Sequence, residues 1–147
     1  MKFIIKGIPP KKDRPRFTRQ GRAYNTNGTI EGEARVRFAF SYPSPQMNPI
    51  ESACKVVINA YYTPPKSWSQ KKALSQLGQY KITKPDADNV IKAILDGLNG
   101  LAYKDDNLVA VVECCKRYAI EDYTEVEIIE LWSVINVKAN LKYGLIK

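Results

Sequence analysis

Within the run Lys84 to Val109, KPDADNVIKAILDGLNGLAYKDDNLV, the chain carries Asp86, Asp88, Asp96, Asp105 and Asp106 together with Lys92 and Lys104. One aspartate before a helix would do no more than cap free backbone N–H groups and complement the helix dipole. A D-D-N turn is equally ordinary. Several carboxylates at one helix end are different, because they repel one another unless a cation lies between them. Magnesium suits such a place: it takes hard oxygen ligands, often one or two carboxylates, and completes its shell with water and phosphate. The chemistry in view is therefore phosphoryl transfer, where such an ion generates a nucleophile and stabilises the leaving oxygen.

A helix must hold these groups. Ile91, Ile94, Leu95 and Leu98 fall at the i, i+3, i+4, i+7 spacing of one oily stripe. Asp88, Lys92 and Asp96 recur every four residues and line the opposite side. Pro85 restricts the backbone before Asp86, and Gly100 stands where the helix would end. Asp86 and Asp88 then lie at the helix mouth, with Asp105 and Asp106 on the turn beyond it.

The same run resembles the signature of the RusA family of Holliday junction resolvases, magnesium-dependent endonucleases common in phages and prophages. In that family the active site comprises the two aspartates of D-x-D-N, a lysine four residues after the second, and the second aspartate of a downstream D-D pair. By position these are Asp86, Asp88, Lys92 and Asp106, each of the expected type. Asn107 stands where the family more often has glutamine or serine, which leaves the acids untouched. The resemblance implies that Asp86, Asp88 and Asp106 hold Mg²⁺, with Mn²⁺ as a substitute, and that Lys92 neutralises charge on the phosphate or orients water. Asn89 would fix the carboxylate geometry. Asp96 and Asp105 stay open between supporting and structural roles. The resemblance further implies a homodimer that offers two centres to the two-fold shape of a four-way DNA junction.

Composition narrows the alternatives. A net charge of +8, from 23 Lys and Arg against 15 Asp and Glu, favours a polyanionic partner. The chain has no histidine. That excludes Ser-His-Asp and Cys-His nucleophile systems and leaves acid and base work to carboxylates, lysine or metal-bound water. Cys54, Cys114 and Cys115 show no C-x-x-C spacing and are expected as reduced thiols in a cytoplasmic protein. No phosphate-loop motif is present, so no nucleotide cofactor is expected, and no apolar run approaches the roughly 20 residues that span a bilayer.

The remaining chain supplies strands and cations. Lys2–Lys6 is an expected strand, stopped by Gly7 and the Pro9-Pro10 pair. The segment KKDRPRFTRQGR follows, an expected exposed, extended loop in which Phe17, with Tyr24 just beyond, interleaves with Lys11, Lys12, Arg14, Arg16, Arg19 and Arg22. Aromatic and basic groups together suit phosphate contacts with base stacking. The expected DNA contacts are Lys11, Lys12, Arg14, Arg16 and Arg19, joined by Lys81 and Lys84 just before the aspartates. Glu33–Phe40 fits either an alternating strand or a short helix. Cys54–Tyr62 is strand-like, and Ser67 with Gln70 fits a capping box that opens a helix from Trp68 to about Leu77. Leu108–Lys116 and the alternating Thr124–Ile129 are expected to pair as a hairpin with one solvated face.

These expectations assemble into one α+β domain over residues 1–147, a small mixed sheet with helices packed on one side. Residues 131–147 would cover a sheet edge or contact a second protomer. The expected activity is Mg²⁺-dependent cleavage of branched DNA, with resolution of four-way junctions by paired symmetric cuts. Two alternatives remain: a less selective flap or branched-DNA nuclease, and a DNA-binding module without catalysis.

Overall fold

The computed structural model describes residues 1–42 and 48–131. Its largest element is a four-stranded sheet in the order β1-β6-β4-β5. The strands are β1 (Lys2–Lys6), β4 (Cys54–Tyr62), β5 (Val109–Tyr118) and β6 (Tyr123–Glu130); β2 (Arg16–Phe17) and β3 (Ala23–Tyr24) form a separate two-stranded hairpin. Among the described residues three helices accompany them: α1 (Asn27–Ser41), α2 (Gln70–Gln76) and α3 (Ala87–Leu98).

β4 takes the centre because its Val, Ile, Ala and Tyr residues fit a strand with neighbours on both edges. Cys54, Val56, Ile58, Ala60 and Tyr62 are buried, and the residues between them are half-buried. Across the sheet, register places Phe3 beside Val126, Val126 beside Ile58, and Ile58 beside Cys114. That face meets Val36 and Phe40 of α1 and Val90, Ile94 and Leu98 of α3 in one core. The mixed sheet with helices on one side is thus as expected. Lys55, Glu113, Glu125 and Glu127 occupy the other face, and Lys55 pairs with Glu113 at 2.5 Å.

The expected hairpin between the last two strands does not form. β5 pairs parallel with β4, while β6 runs antiparallel to both β4 and β1. Both late strands use the central strand, and the short link Ala119–Asp122 crosses the end of β4, where Ala119 N–H donates to Tyr62 O at 2.9 Å. β6 still has one solvated side: Thr124, Val126 and Ile128 are buried while Glu127 is exposed.

Glu33–Phe40 resolves as helix, part of α1, with Thr26 at the N-cap accepting from Thr29 N–H. The two main helices cross closely. A methyl group at Gly97 would stand 2.7 Å from the Val36 Cβ, so α3 needs glycine there to lie against α1. The buried stripe of α3 is Val90, Ala93, Ile94, Gly97 and Leu98, turned slightly from the expected one, with Ile91 and Leu95 at its margin. α2 is shorter than expected and is capped by Ser69, which accepts from Lys72 N–H, and not by Ser67. The role expected of residues 131–147 falls almost wholly outside the described residues.

Candidate active site

Asp86 is the N-cap residue of α3, in extended conformation (φ −68°, ψ 147°), yet its carboxylate makes no capping bond. Helix capping therefore does not account for this acid. Asp88 lies in the first turn and accepts from Asn89 N–H at 2.9 Å. That bond comes from the backbone of Asn89. Lys92 follows one turn later, and all three charged groups are exposed.

A residue not anticipated from sequence fixes the approach to Asp86. Lys116 of β5 donates to Thr83 O at 2.9 Å and to Pro85 O at 2.6 Å. Residues 78–81 run along the same end of β5, with Lys81 N–H donating to Lys116 O at 2.9 Å and Gly78 N–H to Tyr118 O at 2.9 Å. The Lys84–Pro85 peptide bond is cis. A lysine on a strand carries no local signal for such bracing, which exists only once β5 is beside the loop.

Asp106 stands elsewhere. It opens a single 3-10 turn (Asp106–Leu108) that leads into the start of β5. Because β5 is parallel to β4, α3 returns the chain across the length of the sheet. Asp86 lies beside Lys116, near the far end of β5, whereas Asp106 precedes its first residue. Between Val109 and Lys116 the strand runs roughly 20 Å, and the 12 residues of α3 span about 18 Å. Tyr103 agrees with this placement: its hydroxyl donates to Leu95 O at 2.9 Å near the C-terminal end of α3. Burial raises the Tyr103 pKa, and the charges of Cys54, Asp106 and Asp96 add to the rise. The topology thus sets Asp86 and Asp88 at one end of α3 and Asp106 beyond the other. Among the described residues no group of three or more His, Cys, Asp or Glu side chains is gathered to hold a metal ion. Asp86 and Asp88 alone fit magnesium in donor type and number, since such an ion is often held by one or two carboxylates plus phosphate and water.

Two other acids of the motif are spent on structure. Asp105 caps the 3-10 turn by accepting from Asn107 N–H at 3.0 Å. Asp96 pairs with Lys12, which also reaches Glu33 at 2.7 Å. Burial works to lower the Lys12 pKa, but the bonds and charges of Asp96 and Glu33 outweigh it and raise the value. Lys12, expected on DNA, instead ties the segment after β1 to α1 and α3, and its N–H donates to Asn89 O at 2.8 Å. Lys11 pairs with Asp13 at 3.0 Å while remaining more than half exposed. That Lys11 bond, with one from Thr26, lowers the Asp13 pKa.

The other cations separate in the same way. Arg14, Arg16 and Arg19 are exposed on and around the β2–β3 hairpin, whose Phe17 and Tyr24 are also exposed. The expected extended loop is thus a short finger of cations and aromatic rings. Lys84 is exposed. Lys81 is half-buried, with its ammonium over the rings of Tyr62 (5.3 Å) and Tyr118 (5.5 Å), and burial lowers its pKa.

A basic α+β domain with two exposed carboxylates at a helix mouth and an exposed basic finger has the outline of a DNA-processing protein. The comparison with known proteins is specific: residues 7–129 match the family model described as endodeoxyribonuclease RusA, and the chain belongs to that family. It is also 30% identical over 141 residues to the uncharacterized protein YqaN of Bacillus subtilis (strain 168), covering 89% of this chain and 96% of that protein. Among the described residues no helix is long and apolar enough to cross a membrane.

Proposed function

We propose that this endodeoxyribonuclease cleaves four-way DNA junctions as a Mg²⁺-dependent homodimer in the cytoplasm, and that each active centre is shared between protomers. Asp86 and Asp88 of one chain and the partner's Asp106 would hold the ion, with Mn²⁺ able to replace it. The observation that carries the shared site is the length of α3. It separates the two acidic groups by more than one ion can bridge, while a two-fold axis can bring the far end of a second copy to the first. When bound, the ion supplies stabilisation of charge at the scissile phosphate and an acidified water.

The chain's own groups do the rest. Lys116 holds the carbonyls before Asp86, so the carboxylate is presented from a fixed backbone. Lys92, one turn beyond Asp88, faces the charge that grows on the phosphate. The β2–β3 fingers of two protomers carry Arg14, Arg16 and Arg19 to the arms of the junction. Binding should weaken by roughly 10³-fold or more between about 50 and 200 mM salt if six or more phosphates are engaged.

Co-expression of Asp88→Asn with Asp106→Asn tests the arrangement. In mixed dimers one centre loses both acids and the other regains all of them. The expected result is restored nicking of one strand of a junction in Mg²⁺, though each variant alone is inactive. Two inactive variants that stay inactive together would place the acids in one chain or outside the site. Wild-type rates equal on a junction and on linear duplex would favour the less selective nuclease, and no cleavage of any DNA would favour the binding module.

A further inference from the structure

The β2–β3 finger stands away from the body of the protein and is held at its base. Arg14 to Asn25 are exposed throughout. Among the described residues their hydrogen bonds stay within the hairpin: Thr18 N–H donates to Arg22 O, Arg22 N–H to the Thr18 hydroxyl, and Gly21 N–H to Thr18 O. The base is built differently. The Thr26 hydroxyl donates to Asp13 Oδ2 at 2.9 Å and accepts from Thr29 N–H at 3.3 Å, while Asp13 N–H donates to the hydroxyl of buried Thr29 at 3.0 Å. These bonds tie the two legs of the finger to each other and to the first turn of α1. Just outside them, Lys12 N–H donates to Asn89 O at 2.8 Å, so the first leg joins α3 one residue beyond Asp88.

A hairpin gripped in this way is a lever. Arg19, beside the Gly21 turn, is six residues from Asp13, which at the rise of a strand is roughly 20 Å. Over that length a tilt of about 10° at the base carries the tip about 3.5 Å, one nucleotide step along a DNA strand. We propose that Asp13 and Thr26 are positioning residues that fix the distance along the DNA between the branch point and the cut. The inference rests on the reading of the protein as a junction-cleaving nuclease. The finger grips an arm through Arg16 and Arg19, the carboxylates of Asp86 and Asp88 sit at the mouth of α3, and the closed base makes the two a single ruler. Opening the base leaves every cation and every acid of the site in place but lets the finger swing, so that breaks spread to neighbouring phosphates. The bond from the Thr26 hydroxyl does the closing. The Asp13 charge, paired with Lys11 at 3.0 Å on the outer side, is not needed for it.

The test uses a series of immobile four-way junctions in which the branch point is stepped one nucleotide at a time past a fixed sequence, so that distance and sequence separate. In Mg²⁺ the wild type is expected to cut within one narrow range of distances. Asp13→Ala and Thr26→Ala should each widen that range by about one nucleotide or more, as the tilt requires. Asp13→Asn, which keeps an oxygen for the Thr26 hydroxyl, and Thr26→Ser should keep it narrow. Hydroxyl-radical protection of the same junctions, with Ca²⁺ in place of Mg²⁺, reads the spread for a variant that cuts too slowly to map. An unchanged range in both alanine variants, whatever their rates or stability, would overturn the inference and leave Asp13 and Thr26 to the fold alone. Asp13→Asn spreading as far as Asp13→Ala would overturn it too, because charge and not the closing bond would then be responsible. Wild-type cutting that ignores the branch point would overturn the junction reading itself, a result that the wild-type series alone reveals.

Discussion

Helix α3 carries aspartate at its mouth and again toward its far end, and the two places treat the same side chain in opposite ways. At the mouth, Asp86 sits at the N-cap without capping and Asp88 holds one local backbone bond. Two turns further on, Asp96 is half-buried and shares the Lys12 ammonium with Glu33. An acid whose charge is balanced inside the fold has little left to offer a ligand. One left exposed beside another carries an electrostatic cost that a cation or a substrate bearing one relieves. The difference separates acids that hold the protein together from acids available for chemistry, although the sequence sets Asp88 and Asp96 on one side of the same helix.

The largest contrast should come from changing one acid of each kind. Asp88→Asn is expected to lower junction cleavage by roughly 10³-fold, the scale of losing a group that stabilises transition-state charge, with thermal midpoint nearly unchanged. Asp96→Asn should do the reverse, reducing stability and sparing cleavage by the folded fraction. Paired cleavage assays and calorimetry on the two variants decide it. Equal activity losses would mean that Asp96 also serves the site.

Lys116 sharpens the comparison from the positioning side. Lys116→Met keeps the stem and removes the donor to Thr83 and Pro85 carbonyls. Misplacing Asp86 by an ångström is expected to cost up to about 10²-fold in cleavage, with arginine at this position recovering part of it. The metal dependence should move with it, so that more Mg²⁺ is needed for half-maximal rate. A variant with reduced stability and an unchanged metal requirement would assign Lys116 to the fold alone.

Lys12 tests the structural end. Lys12→Met leaves Glu33 and Asp96 close together without their cation, and about 2 kcal/mol of stability should be lost. The sign of the pH dependence follows from the raised Lys12 pKa. The contribution is complete below the ordinary lysine range and is lost as pH rises through the higher folded value. The gap between wild type and variant should therefore persist from neutral pH to that range and narrow only beyond it. Denaturant titrations at several pH values read this directly.

What could be read in advance follows the range of the interactions. Local signals placed α3, its end at Gly100, the strands β1 and β4, and the D-x-D-N pair, because each depends on neighbours a few residues away. The parallel pairing of β5 with β4 depends on a crossover, and with it went the placing of Asp106, the loss of the hairpin and the role of Lys116. The pairing of Lys12 was hidden for the same reason. In sequence it is one cation among several, and only packing of the loop against two helices gives it two acids.

The smallest predicted effect concerns the cations that, unlike Lys12, stay exposed. Arg16 pairs in register with Tyr24 at the base of the finger, and its side chain is left to solvent. If it meets a phosphate, Arg16→Ala should weaken junction binding moderately and make log Kd less steep in log salt by about 1 per lost contact. Two copies in a dimer would double that change. The slope distinguishes contact from misfolding, because a partly unfolded variant loses affinity at every salt concentration and keeps the wild-type slope. Arg16→Lys preserves the charge and should retain the slope while losing the flat guanidinium that can stack beside Phe17 and Tyr24.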